Sequence, residues 1–220
     1  DITGVDGSGE NLNALGLKSG TVKLNNNIVI PVLFSGGNNE NYEVPESAAL
    51  WMNNSQVTVP TGGDGIELYG KILVSGPLAD FKVYMSSGIT MGGTSTFEVQ
   101  DGNVELNQFR TIDGSSDNKG AYVQSGGYVT VDNNFGDNAS TGSFMFDLSE
   151  TDNVFKMSGG TLHVKYERHD GGTKGAIFIN SDVINQEVTG GTVIVEVDNT
   201  CPANAVCRIS SRAPFYNFTL

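Results

Sequence analysis

Carboxylates on the outward side of predicted strands are the residues of this sequence with the most direct route to chemistry. In four successive glycine-led strands the equivalent outward place is held by Glu98, Asp132, Lys165 and Glu196. This order predicts that Glu98 and Asp132 are neighbours, and inverting glycoside hydrolysis needs two carboxyl groups about 6.5–9.5 Å apart. A solvated strand face explains the same pair without catalysis, so we predict no catalytic residue and no enzyme activity.

Calcium is the cofactor that the acidic turns of the sequence favour. Asp64 and Glu67 lie in GGDGIEL, which partly matches a calcium-binding nonapeptide repeat, although Glu67 stands where that repeat has aspartate. Asp6 lies in DGSGEN, which brings several oxygen atoms close together without the ligand order of an EF-hand. An ordinary turn is the competing interpretation for each segment, so Asp64, Glu67 and Asp6 are candidate metal ligands.

The two cysteines, Cys201 and Cys207, are the candidates for a disulfide bond. They are too few for a structural zinc site, and their spacing is not the C-x-x-C of redox catalysts. A disulfide that closes this short loop is favoured and suits an oxidising compartment, whereas two buried thiols are the alternative. His163 and His169 have no cysteine and no third histidine near them, which indicates surface residues rather than zinc ligands.

Trp51 is the candidate ligand-binding residue, because outward aromatic rings are typical of surfaces that bind glycans. It is the single tryptophan, and within ALWMNN it shares one strand face with Ala49, while Leu50 and Met52 share the other. A tryptophan in the core or at the end of the fold is the competing interpretation. The seven tyrosines are spread too widely along the chain to define a groove.

Composition excludes several classes of function. The 220 residues include 12 Lys and Arg against 25 Asp and Glu, a formal net charge of −13. Binding to nucleic acid is not expected, because phosphate contacts need clustered basic residues. Membrane insertion is not expected either, since no segment consists of a long enough run of apolar residues to span a bilayer. The 29 glycines occur without the period of collagen and with only six prolines, which argues against that fold, and 38% hydrophobic residues suffice for a core.

A Gly-Gly pair followed by an alternating strand recurs four times from residue 92 onward. The second glycines of the four pairs stand at positions 93, 127, 160 and 191, so the pairs follow one another at nearly equal intervals. Two further short strands return within each repeat, so a repeat comprises three strands joined by polar turns. The four copies are GGTSTFEV (92–99), GGYVTVDN (126–133), GGTLHVKY (159–166) and GGTVIVEV (190–197).

These repeats predict an all-β fold, a right-handed parallel β-helix (β-solenoid) with three strands per coil. At about 30 residues a coil, the chain forms a single solenoid over 1–220 with about seven coils, less regular over 1–47. Residues 45–52 alone have a helix-like composition, over barely two turns. Period-2 alternation predicts the inward residues. They are Phe97, Val99, Val129, Val131, Leu162, Val164, Tyr166, Val193, Val195 and Val197.

Several segments from about residue 48 onward resemble the β-helical repeats of large bacterial cell-surface adhesins. The segments are ALWMNNSQVTV, GIELYGKILVSG, TFEVQDGNVELNQFR, KMSGGTLHV and FYNFTL. Similar strings recur in the long secreted proteins of gliding and biofilm-forming bacteria. The resemblance implies an extracellular, cell-surface location within a larger polypeptide, a role in adhesion or as a stalk, and surface glycans or other cell-surface material as partners. It implies no catalytic residue.

We therefore expect a non-catalytic adhesin or stalk module, a rigid spacer that presents side loops such as 132–142 and 166–175. Both ends of the sequence lack the polar capping repeat of a complete solenoid, which indicates a fragment of a longer protein. Two alternatives remain. One is a carbohydrate-active β-helix enzyme, either a polysaccharide lyase or a glycosidase, and the other is a glycan-binding module without turnover.

Overall fold

The protein is all-β in the part of the chain that the structure describes. The computed structural model describes residues 17–29, 41–59, 65–112, 119–132, 144–166, 175–197 and 207–220. These ranges contain twenty strands and one 3-10 turn, Val183–Asn185. The strands are β1 (Gly20–Leu24), β2 (Ile28–Val29), β3 (Tyr42–Val44), β4 (Ala48–Asn53), β5 (Gln56–Val59), β6 (Ile66–Leu68), β7 (Lys71–Ser75), β8 (Asp80–Val83), β9 (Ile89–Met91), β10 (Thr96–Val99), β11 (Asn103–Leu106), β12 (Phe109–Thr111), β13 (Ala121–Gln124), β14 (Tyr128–Asp132), β15 (Phe146–Leu148), β16 (Val154–Tyr166), β17 (Gly175–Ile179), β18 (Gln186–Val197), β19 (Arg208–Ser211) and β20 (Asn217–Thr219).

The described strands pair in parallel, each with a strand about one repeat away, and form three ladders. The first ladder contains β1, β4, β7, β10 and β13, and the second contains β2, β5, β8, β11 and β14. The long strands β16 and β18 run through both of these ladders and join them, together with β20, into one 13-stranded sheet. The third ladder is a seven-stranded sheet of β3, β6, β9, β12, β15, β17 and β19. Parallel ladders that return in this order are consistent with a parallel β-solenoid.

The repeat length varies along the chain more than the glycine pairs indicate. In the second ladder the interval between register partners is shortest from Asp80 to Asn103 and longest from Tyr128 to Thr161. The two longest intervals contain 133–143 and 167–174, which lie outside the described residues. The successive partners are Gln56, Asp80, Asn103, Tyr128, Thr161, Thr192 and Asn217.

The Gly-Gly pair at 92–93 is not equivalent to the later three pairs. It precedes β10, which belongs to the first ladder, whereas the pair at 126–127 precedes β14 in the second ladder. The corner below Gly127 is formed by Asp101 and Gly102, because the Tyr128 amide donates to the Gly102 carbonyl at 2.8 Å. The spacing between positions 93 and 127 is therefore not a repeat length, because the two pairs belong to different corners of the fold.

Stacked corners in front of the second ladder explain the regular spacing of the remaining glycine pairs. Gly127 and Gly160 have φ values of 68° and 75°, a region that side chains rarely adopt. A Cβ on Gly127 would lie 2.6 Å from the Gly102 carbonyl oxygen, and one on Gly160 would collide with the carbonyl of Gly126. Glycine is thus required both for backbone conformation and for the close approach of successive corners.

Alternation along the strands places the core as the sequence predicts. Of the ten predicted inward residues, nine are buried, and Val197 at the end of β18 is 39% exposed. Among the predicted outward residues, Asp132 is instead buried, at 5% exposure, and its carboxylate lies 3.5 Å from the ammonium of Lys165 on the neighbouring strand. The segment 45–52 is not a helix, since its residues from Ala48 onward form β4, and Leu50 and Met52 are buried between β1 and β7.

Aromatic rings fill the middle of the interior. Tyr122 stacks between Phe97 and Phe155 at centroid distances of 6.2 and 5.8 Å, and the ring of Phe146 meets its edge at 5.0 Å. The buried Tyr122 hydroxyl donates to Gln124 Oε1 at 2.8 Å, and Gln124 Nε2 donates to the Thr161 carbonyl at 3.0 Å. Burying these polar atoms is tolerated because each finds a partner inside the core.

Gly160→Ala is expected to lower the free energy of unfolding by about 1–3 kcal/mol more than Gly93→Ala. Both glycines have positive φ, 75° and 56°, so both variants carry backbone strain. A Cβ at position 93 meets no atom within 4 Å, whereas one at position 160 meets the carbonyls of Gly126 and Gly127. Urea unfolding measures the difference, and equal losses would contradict the role assigned to the corner.

As the pH becomes alkaline, the Tyr122→Phe variant is expected to lose less of its free energy of unfolding than the parent protein. Burial raises the pKa of the Tyr122 phenol, so the folded protein keeps a proton that the unfolded chain loses near pH 10. The stability contributed by the neutral phenol is complete below about pH 10 and is lost as the pH rises above that value. Between pH 8 and pH 11 the parent protein should lose about 1 kcal/mol more than the variant in urea unfolding. Identical losses would show that Tyr122 ionises in the folded state.

Candidate ligand-binding surface

The outer face of the third ladder carries a column of polar and charged side chains. Register pairing places Glu43, Glu67, Thr90, Arg110 and Asp147 one above another on β3, β6, β9, β12 and β15. Neighbouring strands in a sheet lie about 4.8 Å apart, so this column brings side chains from distant parts of the sequence within reach of one ligand.

A cavity of about 330 Å³ opens on this face beside the middle of the column. Arg110 lines it, and its Nε donates to Thr90 Oγ1 at 3.2 Å while Nη2 donates to Ser87 Oγ at 3.4 Å. Within the described residues no carboxylate lies at ion-pair distance from this guanidinium, which is held by hydroxyl groups instead. The cavity is lined by Asn41, Glu67, Ser87, Thr90, Arg110, Thr111 and Ile112.

Glu67 supplies a fixed hydrogen-bond acceptor to the same cavity. Its Oε1 accepts from Asn41 Nδ2 at 2.6 Å, and its Oε2 accepts from the Tyr69 hydroxyl at 3.4 Å. Burial raises the pKa of Tyr69, and the carboxylates of Glu67 and Glu43 raise it further, so this phenol remains a donor. The cavity thus combines a cationic donor group with an oriented anionic acceptor.

Calcium binding at Glu67 stays a prediction. Asp64 and Asp6, the other candidate ligands, lie outside the described residues. In the ranges that the structure describes, no group of three or more His, Cys, Asp or Glu side chains is placed to hold a metal ion. The described contacts of Glu67 are the hydrogen bonds from Asn41 and Tyr69.

Trp51 lies on the outer face of the first ladder and is half-buried, so it is not a core residue. Its indole Nε1 donates to Ser75 Oγ at 2.7 Å, and the ammonium of Lys23 lies 3.8 Å from the ring centroid. This cation–π contact covers one face of the ring that a sugar would otherwise stack on. The structure therefore separates Trp51 from the cavity at Arg110, which lies on another ladder.

The predicted acid pair is not brought together. Glu98 lies in the first ladder and Asp132 in the second, because the two strands that carry them are not equivalent. Burial raises the pKa of Glu98, but hydrogen bonds from Lys71 and Gln100, both at 2.6 Å, outweigh that effect and lower it. Glu98 is consequently an ionised, paired carboxylate and is not suited to donate a proton.

His163 occupies a more organised setting than the sequence indicates. Its Nδ1 lies 2.9 Å from the Tyr128 hydroxyl, and its Nε2 lies 2.9 Å from Glu196 Oε2, at ion-pair distance without hydrogen-bond alignment. Its side chain is 12% exposed, so it is not the open surface residue that we predicted. The two partners of His163 lie on the neighbouring strands, Tyr128 on β14 and Glu196 on β18. Predicting these contacts requires the local repeat length, which the sequence pattern does not specify.

The remaining predicted residues lie just inside or outside the ranges that the structure describes. Cys207 is half-buried just before β19, and Cys201 lies outside the described residues, so the disulfide stays a prediction. His169 also lies outside them, as does most of the predicted side loops 132–142 and 166–175.

The described residues include no helix that is long and apolar enough to cross a membrane. No family model, curated protein or solved structure was found to match this chain.

Proposed function

We propose that this chain is a non-catalytic adhesin or stalk module of a larger extracellular protein on a bacterial surface. In this proposal it forms a right-handed parallel β-helix with three strands per coil and about seven coils. The helix acts as a rigid spacer and presents side chains and side loops for adhesion. The bacterial and cell-surface parts of the proposal rest on the resemblance of its repeats to those of large adhesins.

The observation that carries this proposal is the continuity of the parallel ladders. The third ladder alone stacks seven strands, which corresponds to a length of about 30 Å at the usual strand spacing. The interior beneath the ladders is filled by side chains such as Leu50, Phe81 and Phe146, each fully buried. A hydrogen-bonded stack with a solid core resists bending, which is the mechanical property that a spacer needs.

The described outer carboxylates support a non-catalytic role, because several of them pair with lysines of neighbouring strands. Such cross-strand pairs each contribute roughly 0.2–1 kcal/mol to a sheet, and at Glu98 the hydrogen bonds from Lys71 and Gln100 outweigh burial and lower the pKa of the acid. Acid–base catalysis by two carboxyl groups needs one of them to be protonated. The pairs are Lys71–Glu98 at 2.6 Å, Lys82–Glu105 at 3.2 Å, Lys156–Glu187 at 3.2 Å and Lys165–Asp132 at 3.5 Å.

One observation favours the alternative of a polysaccharide lyase. On the second ladder Tyr128 hydrogen-bonds to His163 and Glu196 Oε2 lies 2.9 Å from His163 Nε2, and His and Tyr are groups that can transfer protons in an elimination. A cavity of about 410 Å³ lies beside His163 and Glu196, with Leu220 on its border. Against the alternative, both ring nitrogens of His163 already face a partner, and its side chain is mostly buried.

Beads coated with the protein are expected to be retained under flow on surfaces coated with acidic polysaccharide, without shortening the polymer. Retention is measured for the parent chain and for Tyr128→Phe, and the release of product is followed by the absorbance of unsaturated sugars. Equal retention of both proteins with no product is the expected result, because adhesion does not need the Tyr128–His163 contact.

Two results would overturn the proposal. Release of unsaturated product by the parent chain but not by Tyr128→Phe would assign the protein to the lyases. Failure of the coated beads to be retained on the surfaces coated with acidic polysaccharide would contradict the adhesive role.

A further inference from the structure

We infer that the cavity at Arg110 binds the carboxylate of an acidic sugar residue, with Glu67 accepting a hydroxyl of the same sugar. This inference rests on the proposed adhesive function and names its ligand class. It differs from the prediction at Trp51, whose ring is on another ladder and is covered on one face by Lys23.

The described hydrogen bonds of the Arg110 guanidinium run to neutral groups. Arg110 uses Nε and Nη2 on the neutral hydroxyls of Thr90 and Ser87, and within the described residues no carboxylate lies at ion-pair distance from it. An arginine has five N–H donors in a planar fork, so donors remain for a ligand. A carboxylate is the group that such a fork recognises best, through paired charge-assisted hydrogen bonds.

The side chain of Arg110 is directed along its column toward β9. Both hydrogen bonds of Arg110 run to the β9 side, to Thr90 on that strand and to Ser87 just before it. Asp147 is its register partner on the opposite side, on β15, and is 6% exposed. Arg110 is therefore oriented toward the cavity and toward Glu67, which stands two strands away in the same column.

The Glu67 acceptor shares the cavity with the Arg110 cation, which favours a sugar over an acidic peptide side chain as the ligand. Glu67 is oriented by Asn41 and Tyr69, and a carboxylate held in this way is ready to accept from a hydroxyl. A uronic acid offers both groups on one ring, an anion for Arg110 and hydroxyl donors for Glu67. The carboxylate of an aspartate or glutamate side chain has no donor to offer Glu67.

The size of the cavity and the surface around it fit a short contact. At about 330 Å³ the cavity is at the small end of ligand sites, which suits one sugar ring of a longer polymer. Two strands beyond Arg110 in the same column, Phe178 is half-buried and stacks on Phe144 at 5.1 Å. These rings lie where the polymer would continue along the face.

Galacturonate should bind the parent protein at least ten-fold more tightly than galactose, as measured by titration calorimetry or NMR. Arg110→Gln should abolish this preference, because it removes the cation and keeps a planar donor. Arg212→Gln is the matched control, since it makes the same change of charge at an arginine already paired to Asp182 at 2.9 Å. The control should bind like the parent, and Glu67→Gln should weaken both sugars about three- to ten-fold while the preference for the acid persists.

Thermal unfolding of each variant accompanies the titrations, and Arg110→Lys serves as a second variant that keeps the charge and loses the fork. Equal binding of galacturonate and galactose by the parent chain would overturn the inference, as would a preference retained in folded Arg110→Gln. Competition by a glutamate-rich peptide at the same concentration as galacturonate would assign the site to peptides.

The bead assay separates this inference from the proposed function. Retention that is unchanged in Arg110→Gln would leave the adhesive role in place and overturn the site. Binding of galacturonate through Arg110 without retention of beads would keep the site and overturn the adhesive role.

Discussion

In-register hydrogen bonding between parallel strands is the constraint on which the rest of this protein depends. Each paired residue of an inner strand has a fixed partner on either side, as Thr96 has Lys71 and Ala121. Because the register is fixed, the chain must turn the same corner at successive levels. The carbonyl of one corner then lies against the α-carbon of the next, and at positions 127 and 160 that spacing leaves room only for glycine.

The same register makes the outer surface a set of columns, and the chemistry of a column depends on which residues are neighbours in it. Where lysine and an acid alternate, as in Lys82 and Glu105, the charges neutralise each other. Where Arg110 follows Thr90, the cation is held by hydroxyls and stays available to a ligand. The difference between a structural pair and a binding site is therefore a matter of register rather than of residue type.

Alternation and glycine placement made much of the fold predictable. Period-2 patterns identified buried residues such as Phe97 and Leu162 correctly, since a strand with one inward face alternates whatever its partner is. The candidate site was not predictable to the same degree. The sequence predicts Glu67 as a metal ligand and does not reveal that it shares a cavity with Arg110, because the two residues are distant in the sequence and their strands are two levels apart.

The errors have a common physical origin in loops of unequal length. A strand's own pattern does not reveal how far along the chain its partner lies, since loops outside the ladder lengthen the interval without disturbing the register. The interval from Tyr128 to Thr161 is longer than that from Asp80 to Asn103, yet both pairs are in register. For this reason a uniform period placed Glu98 and Asp132 in one column, although they lie on different ladders.

The amino-acid sequence by itself determined that the chain is all-β, which strand faces turn inward and where glycine must stand at corners. These properties follow from local backbone sterics and from the burial of alternate side chains. Only the tertiary structure decided which outward residues meet, as in the Tyr128–His163–Glu196 contacts and the Arg110 cavity. Side-chain neighbours across a ladder are set by long-range strand pairing, and that pairing is decided when the whole stack forms.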